Sequence, residues 1–136
     1  MSNETAVYVW VLLQNPAGKI LLLRRHEIVD WEPNKWQLPG GHMKLGESPE
    51  QTAKRKVKDE TGLSISKPTL IEMGIFPVKR NRKKFHAVRI MYRVPVLSKN
   101  VKLSVHHSEH EWVSLAKAKK MKLVPHLKEF LAQVKK

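Results

Sequence analysis

The stretch that decides the fold runs from Gly40 to Leu63 and reads GGHMKLGESPEQTAKRKVKDETGL. Its second half carries the start and stop signals of an α-helix. Ser48 is a favourable N-cap, Pro49 suits the first helical turn, and Gln51 completes a capping box with Ser48. Gly62 is a natural C-terminal stop. The sequence therefore predicts a helix between Ser48 and Gly62.

The second half of this predicted helix carries charges that helix stability does not explain. Asp59 and Glu60 lie near the C-terminal end, where the helix dipole favours cations over anions. Arg55 precedes Asp59 by four residues and Lys56 precedes Glu60 by four, so the side chains of each pair can meet. Anions placed against the dipole indicate a role in a binding site. The alternative is a solvated, charged helix with a few ion pairs.

The composition predicts one strongly basic domain, residues 1–136. A chain of 136 residues, 41% of them hydrophobic, can bury a real core. Cysteine is absent, which excludes a disulfide framework, a thiolate metal site and a cysteine nucleophile. We see no signal peptide, and the longest apolar run, Ala6–Leu13, is too short to span a bilayer, so we expect a cytoplasmic protein. The net charge of +14 predicts attraction to polyanions such as nucleotides or nucleic acid.

Hydrophobic patterning outside this stretch predicts a single α+β unit. The apolar, β-branched runs predict strands, and the spacing of apolar residues after Val124 predicts an amphipathic helix with Pro125 in its first turn. The predicted order is strand TAVYVWVLL, strand KILLLRR, a long loop HEIVDWEPNKWQLPGG, the helix above, strands SISKPTLIEMGIF and FHAVRIMYRVPVL joined by the basic segment PVKRNRKK, the short strand HEWVSL, and the C-terminal helix.

The opening stretch closely resembles the Nudix box, the signature of the Nudix hydrolase family. That signature is G-x5-E-x7-R-E-U-x-E-E-x-G-U, where U is a bulky aliphatic residue. The matching positions are Gly41, Glu47, Arg55, Val57, Glu60, Gly62 and Leu63. Asp59 conservatively replaces one Glu, and Lys56 is the one clear break. The segments WQLPGG and SEHEWVSL are also similar to the family, and LPGGHMKLGES is loosely similar to its MutT-like members.

The resemblance implies a fold and a reaction. The implied fold is an α/β/α sandwich, with a mixed β-sheet between the box helix and the C-terminal helix. The implied reaction is cleavage of a diphosphate bond in a nucleoside triphosphate or another nucleoside-diphosphate derivative, with Mg²⁺ or Mn²⁺. Such an ion neutralises phosphate charge and lowers the pKa of bound water, and Mg²⁺ prefers the hard oxygen ligands that carboxylates supply.

The resemblance also implies roles for single residues. The implied metal ligands are Glu60, Asp59 and a backbone carbonyl of Gly40 or Gly41. Arg55 would hold the carboxylates in place through a salt bridge, for which Glu47 is the best partner.

Lys56 cannot take the role of the Glu that it replaces, which binds metal and in some members acts as the base. An ammonium about 4 Å from Mg²⁺ would be repelled by roughly 8 kcal/mol at an effective dielectric near 20. Two arrangements are open. Lys56 turns out to solvent and one metal position is lost, or it pairs with Glu60 and Asp59 and fills the site. In the second case its ammonium could contact a substrate phosphate as a fixed cation.

A second departure concerns the histidine-rich segment VHHSEHEWV. When it is aligned with the family stretch D-E-H-S-E-Y-R-W-V, His106 stands where several members have a Glu that acts as base or outer metal ligand. Glu109 matches the second Glu of that stretch. His106, His107 and His110 are candidate replacement bases, and the alternative for each is a surface histidine on a loop.

Two further features admit a functional and a structural interpretation. Trp31, in the long loop, could stack on a base or could simply pack the loop. A dense basic cluster could contact RNA or could be an exposed hairpin loop. Its members are Lys79, Arg80, Arg82, Lys83 and Lys84.

The sequence as a whole favours a Nudix-type hydrolase. The main alternative is a catalytically weak or inactive Nudix module that binds a nucleotide or RNA. A dedicated RNA-binding domain is disfavoured, because it has no need for the arrangement of Glu47, Arg55, Asp59 and Glu60.

Overall fold

The computed structural model describes residues 5–97 and 100–134, without the side chains at positions 5 and 80. The strands are β1 Thr5–Gln14, β2 Ile20–Arg25, β3 Trp36–Gln37, β4 Gly40–His42, β5 Thr69–Arg80, β6 Lys83–Pro95 and β7 His107–Val113. The helices are α1 Pro49–Thr61, α2 Leu115–Ala118 and α3 Leu127–Gln133. The single domain expected for residues 1–136 stays a prediction, since both chain ends lie outside the described residues.

The strands form one mixed sheet in the order β3-β2-β1-β6-β5, with β4 also pairing with β1 and β7 also pairing with β2. Strands β1 and β6 run parallel over the whole length of β1, from Thr5↔His86 to Gln14↔Pro95. The other pairs are antiparallel. The parallel pair lies at the centre, so β1 is flanked by neighbours on both sides.

Two hydrophobic cores cover the two faces of this sheet. Successive side chains of a strand point to opposite faces. Accordingly Val11 packs with Val57 of α1 on one face, while Leu12 packs with Phe130 and Leu131 of α3 on the other. The predicted α/β/α sandwich with a mixed sheet is therefore confirmed.

Helix α1 begins and ends where the sequence predicts. The Gln51 backbone N–H donates to Ser48 Oγ at 3.1 Å, and the Ser48 N–H donates to Gln51 Oε1 at 2.8 Å. Gly62 ends the helix in the left-handed conformation with φ of 76°. The strongest local signals of the sequence thus set the helix that carries the box.

Three expectations about local structure were wrong. The long loop contains β3 and β4, because short segments pair there with β2 and β1. Helix α3 begins at Leu127 and not at Val124, because the Val124 N–H donates to the Trp36 carbonyl oxygen at 3.0 Å. The segment that joins β5 and β6 is a two-residue turn, Asn81–Arg82, with positive φ of 50° and 65°, so most of the basic cluster lies on strands.

No helix of the described residues is long and apolar enough to cross a bilayer.

Candidate active site

The residues of the α1 stretch border a cleft of about 690 Å³. Its lining includes Gly40 and Gly41 of β4 together with Lys56 and Glu60 of α1. Side chains of Tyr, Trp and Phe also line it, namely Tyr8, Trp10, Trp31, Phe76 and Phe130. A cleft of this size, lined by both charged groups and aromatic rings, is suited to a small charged molecule with a flat ring.

An ion pair between Glu47 and Arg55 joins the loop before α1 to the helix. Arg55 Nε donates to Glu47 Oε2 at 2.7 Å and Arg55 Nη2 donates to Glu47 Oε1 at 3.0 Å, so the pair is bidentate. The same Nη2 donates to the His42 carbonyl oxygen at 3.0 Å. The Arg55 guanidinium and the Lys44 backbone N–H lower the Glu47 pKa to about 2. Arg55 thus ties the end of β4, the loop and α1 together.

We expect the stabilising effect of this ion pair to depend on pH. Because the Glu47 pKa falls from an ordinary 4.5 to about 2 in the folded chain, its contribution is complete above pH 4.5 and disappears as the pH falls toward 2. Glu47→Gln should therefore lower the thermal midpoint at pH 7, and the difference from the unmodified protein should shrink between pH 4.5 and pH 2. Circular dichroism melts measure this, with the exposed Glu27→Gln as control. A difference that stays constant over this range would contradict the assignment.

Glu60 is a buried carboxylate in the lining of the cleft. It is only 6% exposed, and its Oε1 accepts a hydrogen bond from the Gly40 backbone N–H at 2.8 Å. Burial raises the Glu60 pKa, and the charge of Lys56 partly opposes this rise. Gly40 itself lies against strand β1, where a methyl group on it would lie 2.1 Å from the Val9 carbonyl oxygen, so this position requires glycine. The carboxylate is therefore buried and oriented by the backbone.

Lys56 turns inward and lies beside Glu60. Its Nζ is 3.6 Å from Glu60 Oε2, and a methyl group on Gly41 would lie 2.8 Å from its Cε. Asp59 does not join this pair. Its side chain is 59% exposed and lies 3.8 Å from Arg55 Nη1. Of the two arrangements that the sequence left open, the structure has Lys56 inside the site, paired with Glu60 but not with Asp59.

A divalent ion fits this arrangement only in part. Within residues 5–97 and 100–134, no three side chains of Asp, Glu, His or Cys are grouped so that they could hold a metal ion. One Glu60 oxygen accepts the Gly40 N–H and the other faces the Lys56 ammonium. If Lys56 moves out of the site, Glu60 and a backbone carbonyl of Gly40 or Gly41 remain as oxygen ligands for one ion. The described residues do not form the cluster of three or more ligands that would bind an ion by side chains alone.

The other candidate residues are divided between the cleft and the surface. Trp31 and His106 line the cleft, and so does Lys79 of the basic cluster. Glu109 instead pairs with Arg24, with Arg24 Nη1 and Glu109 Oε2 2.9 Å apart, and His110 is exposed outside the cleft lining.

The polar cleft residues that sequence reasoning missed include Arg25 and Gln37. Gln37 is 2% exposed and lies within hydrogen-bond distance of His107, which is 4% exposed. Burial, together with the nearby charge of Arg25, lowers the His107 pKa to about 4. No motif marks these residues, because three separate strands bring them together.

Comparison with known proteins identifies the family. The family model described as NUDIX domain matches residues 4–134. The chain belongs to the Nudix family. A solved Nudix-fold structure, the MutT protein from Methanosarcina mazei Go1, superposes with a TM-score of 0.81 and is 31% identical, covering 98% of this chain and 94% of that one. The match includes the whole box stretch and its helix α1.

Two curated Nudix relatives are similar over part of their length. The m7GpppN-mRNA hydrolase NUDT17 of Xenopus laevis is 37% identical over 70 residues, which cover 52% of this chain and 24% of that protein. The asymmetrical bis(5'-nucleosyl)-tetraphosphatase of Mus musculus is 28% identical over 109 residues, which cover 78% of this chain and 71% of that protein. The match thus spans about a quarter of the length of NUDT17.

Proposed function

We propose that this Nudix protein hydrolyses a diphosphate bond in a nucleoside triphosphate or another nucleoside-diphosphate derivative. The observation that carries the proposal is Glu60, a buried carboxylate that the Gly40 N–H orients in a cleft rich in cations. The cations that line the cleft are Arg25, Lys44, Arg55, Lys56, Lys79 and Arg89. They favour an anionic chain such as a diphosphate. Both curated relatives are named for hydrolysis of phosphate-linked nucleotides.

We propose Mg²⁺ or Mn²⁺ as the cofactor. The residues that would hold the ion are Glu60 and a backbone carbonyl of Gly40 or Gly41, and Asp59, which lies beside Arg55 outside the cleft lining, would join them only by turning toward Glu60. A bound ion neutralises phosphate charge and lowers the pKa of a bound water. The Glu47–Arg55 pair holds the box in position around it, and His106, at the edge of the cleft, is the candidate for accepting a proton from the attacking water.

The Lys56–Glu60 pair favours a second candidate function, a nucleotide-binding module with weak or no catalysis. With Nζ 3.6 Å from Glu60 Oε2, Lys56 occupies space that an ion and its ligands need. Its ammonium can contact a substrate phosphate directly, which binds the nucleotide but does not generate hydroxide. The two candidates share the cleft and the phosphate contacts, and they differ only in turnover.

One experiment separates the two candidates. Nucleoside triphosphates, dinucleoside polyphosphates, nucleoside-diphosphate sugars and capped RNA are incubated with Mg²⁺ or Mn²⁺, and release of phosphate, pyrophosphate or nucleotide is measured. Calorimetry with a nonhydrolysable nucleotide is run in parallel. Turnover that requires the metal supports the hydrolase, and binding without turnover supports the module. If neither turnover nor binding occurs with any compound, both candidates fail.

We propose in addition that RNA contacts the β5–β6 hairpin. Cross-strand neighbours there carry like charges, Lys79 opposite Lys84 and Arg80 opposite Lys83, with Arg82 in the turn. Like charges directly opposite each other destabilise a strand pair. Among the side chains that the structure describes, no carboxylate pairs with Lys79, Arg82, Lys83 or Lys84. A phosphate backbone would relieve this repulsion, and Lys79 connects the hairpin to the cleft.

We expect RNA binding to depend on salt and on this hairpin. Replacing all five cations, Lys79, Arg80, Arg82, Lys83 and Lys84, with Gln or Ser should weaken binding to single-stranded RNA. The slope of log affinity against log salt should flatten by up to about 3.5, since each of the five phosphate contacts on a single strand contributes roughly 0.7. Fluorescence anisotropy at several salt concentrations measures both.

The matched control removes the same charge elsewhere. It replaces five exposed lysines outside the hairpin, Lys54, Lys67, Lys120, Lys122 and Lys128. If both variants lose RNA affinity equally, net charge and not the hairpin is responsible, and the proposed contact is wrong. Binding to heparin or anionic vesicles that equals binding to RNA would also count against it.

A further inference from the structure

Trp31 presents a partly free aromatic ring to the cleft. It lies in the loop between β2 and β3, is 44% exposed and lines the cleft wall. The Arg25 guanidinium lies over one side of the ring, with its Cζ 5.0 Å from the ring centroid. Because the guanidinium covers that side, the opposite face of the indole is the flat apolar surface that a ligand ring can cover.

Arg25 is anchored on both sides of this contact. Its Nε donates to the Trp31 carbonyl oxygen at 2.6 Å, and its Nη1 donates to Gln37 Oε1 at 3.1 Å. Among the described residues, no carboxylate lies within ion-pair distance of Arg25. An arginine at a cleft normally reaches solvent or a carboxylate, whereas this one holds the backbone and the ring of a single tryptophan.

A buried hydrogen-bond chain supports Arg25 from behind. Gln37 Oε1 accepts from Arg25, so the Gln37 amide NH₂ faces His107 Nε2 at 2.9 Å and donates to it. His107 is therefore neutral with its proton on Nδ1, which faces Ser104 Oγ at 3.5 Å. Each polar atom of the chain is fixed as either a donor or an acceptor, so the chain holds Arg25 in one position.

From this geometry we infer that the free face of Trp31 is a stacking platform for a nucleobase, and that Arg25, Gln37 and His107 are positioning residues that hold it. The inference rests on the proposed function only in taking a nucleotide as the ligand. Stacking on an aromatic side chain accepts any base, because every base has a flat π face. The platform would therefore add affinity for the nucleoside part of the ligand without selecting one base.

The test compares two nonhydrolysable ligands that differ by a nucleoside, α,β-methylene-ADP and methylenediphosphonate, both with Mg²⁺ in calorimetry. Trp31→Ala should weaken binding of α,β-methylene-ADP about tenfold and leave binding of methylenediphosphonate unchanged. Trp31→Phe keeps a flat ring and should retain most of the affinity. Ile28→Ala, at a 72% exposed position of the same loop outside the cleft lining, is the control and should change neither.

The positioning residues are tested with the same ratio of affinities. Gln37→Leu should weaken binding of α,β-methylene-ADP several-fold and leave the affinity for methylenediphosphonate unchanged. Gln37→Glu keeps an oxygen toward Arg25 and lets the other tautomer of His107 donate, so it should restore the ratio. A residue that merely stabilised the fold would lower both affinities together. If Gln37→Leu fails to fold, the Trp31 variants decide alone.

The outcomes separate this inference from the proposed function. If the unmodified protein binds the diphosphonate as tightly as the nucleotide, or if Trp31→Ala weakens both equally, the platform is wrong while the diphosphate site stands. If neither ligand binds, both the platform and the proposed function are overturned.

Discussion

Lys56→Glu is expected to raise Mg²⁺ affinity and to increase the rate of diphosphate cleavage at least tenfold, which is about 1.4 kcal/mol of barrier. The ammonium of Lys56 lies 3.6 Å from Glu60 Oε2, so the substitution exchanges a positive for a negative charge beside the buried carboxylate. It also restores the carboxylate that the Nudix signature has at this position. Calorimetry measures the affinity, and release of phosphate or pyrophosphate measures the rate.

The effect on stability provides an independent readout of Lys56→Glu. Without metal, two carboxylates four residues apart on one helical face repel each other, so the thermal midpoint should fall. Addition of Mg²⁺ should restore it, because an ion that binds only the folded state stabilises that state. Lys54→Glu, at an exposed position of α1, makes the same change in charge and is the control. It should show neither the metal-dependent recovery nor the gain in rate.

Two results would contradict this interpretation of Lys56. If the unmodified protein turns over at ordinary enzyme rates and Lys56→Glu slows it, Lys56 holds substrate phosphate as a functional part of the site. If Lys56→Glu binds Mg²⁺ well and stays inert, the missing group lies elsewhere, and His106 at the cleft becomes the first residue to test.

Glu60→Gln is expected to reduce any hydrolysis, with or without the Lys56 substitution, by about 100-fold or more. The amide keeps the shape of the side chain, and its oxygen can still accept the Gly40 N–H, so the loss would come from the charge and not from the fold. Single-turnover rates measure the effect. Glu50→Gln, at an exposed position in the first turn of α1, is the control. A Glu60→Gln variant with full activity would remove Glu60 from the site.

Local signals of the sequence predicted α1 well. The short strands of the sheet could not be predicted in this way, because they depend on contacts between residues that are far apart in the sequence. The capping box and Gly62 act within a few residues, so they are visible without a fold. Strands β3 and β4 have two and three residues, which is too short for an alternating pattern, and they exist only because β2 and β1 lie beside them. The predicted start of α3 was wrong for the same reason, because the Val124 N–H donates to the carbonyl oxygen of Trp36, a residue distant in the sequence.

The same distinction between local and long-range information applies to the residues of the candidate site. Glu47, Arg55, Asp59 and Glu60 belong to one linear motif, so the resemblance to the Nudix box identified them from the sequence. Arg25, Gln37 and His107 come from β2, β3 and β7, and their contacts depend on the register of three strands. The inward position of Lys56 was one of two arrangements that charge arguments allowed, and only side-chain packing decides between them.

The hydrogen bonds of Arg55 also determine where this fold can tolerate insertions and deletions during evolution. One guanidinium holds the His42 carbonyl and both oxygens of Glu47, so the segment from 43 to 46 is closed at both ends. An inserted or deleted residue there would break these bonds at once. The turn Asn81–Arg82 carries no such constraint, and its two residues are fully on the surface. Lineages built on this chain would therefore vary in length at that turn, while the segment before α1 keeps its residue count.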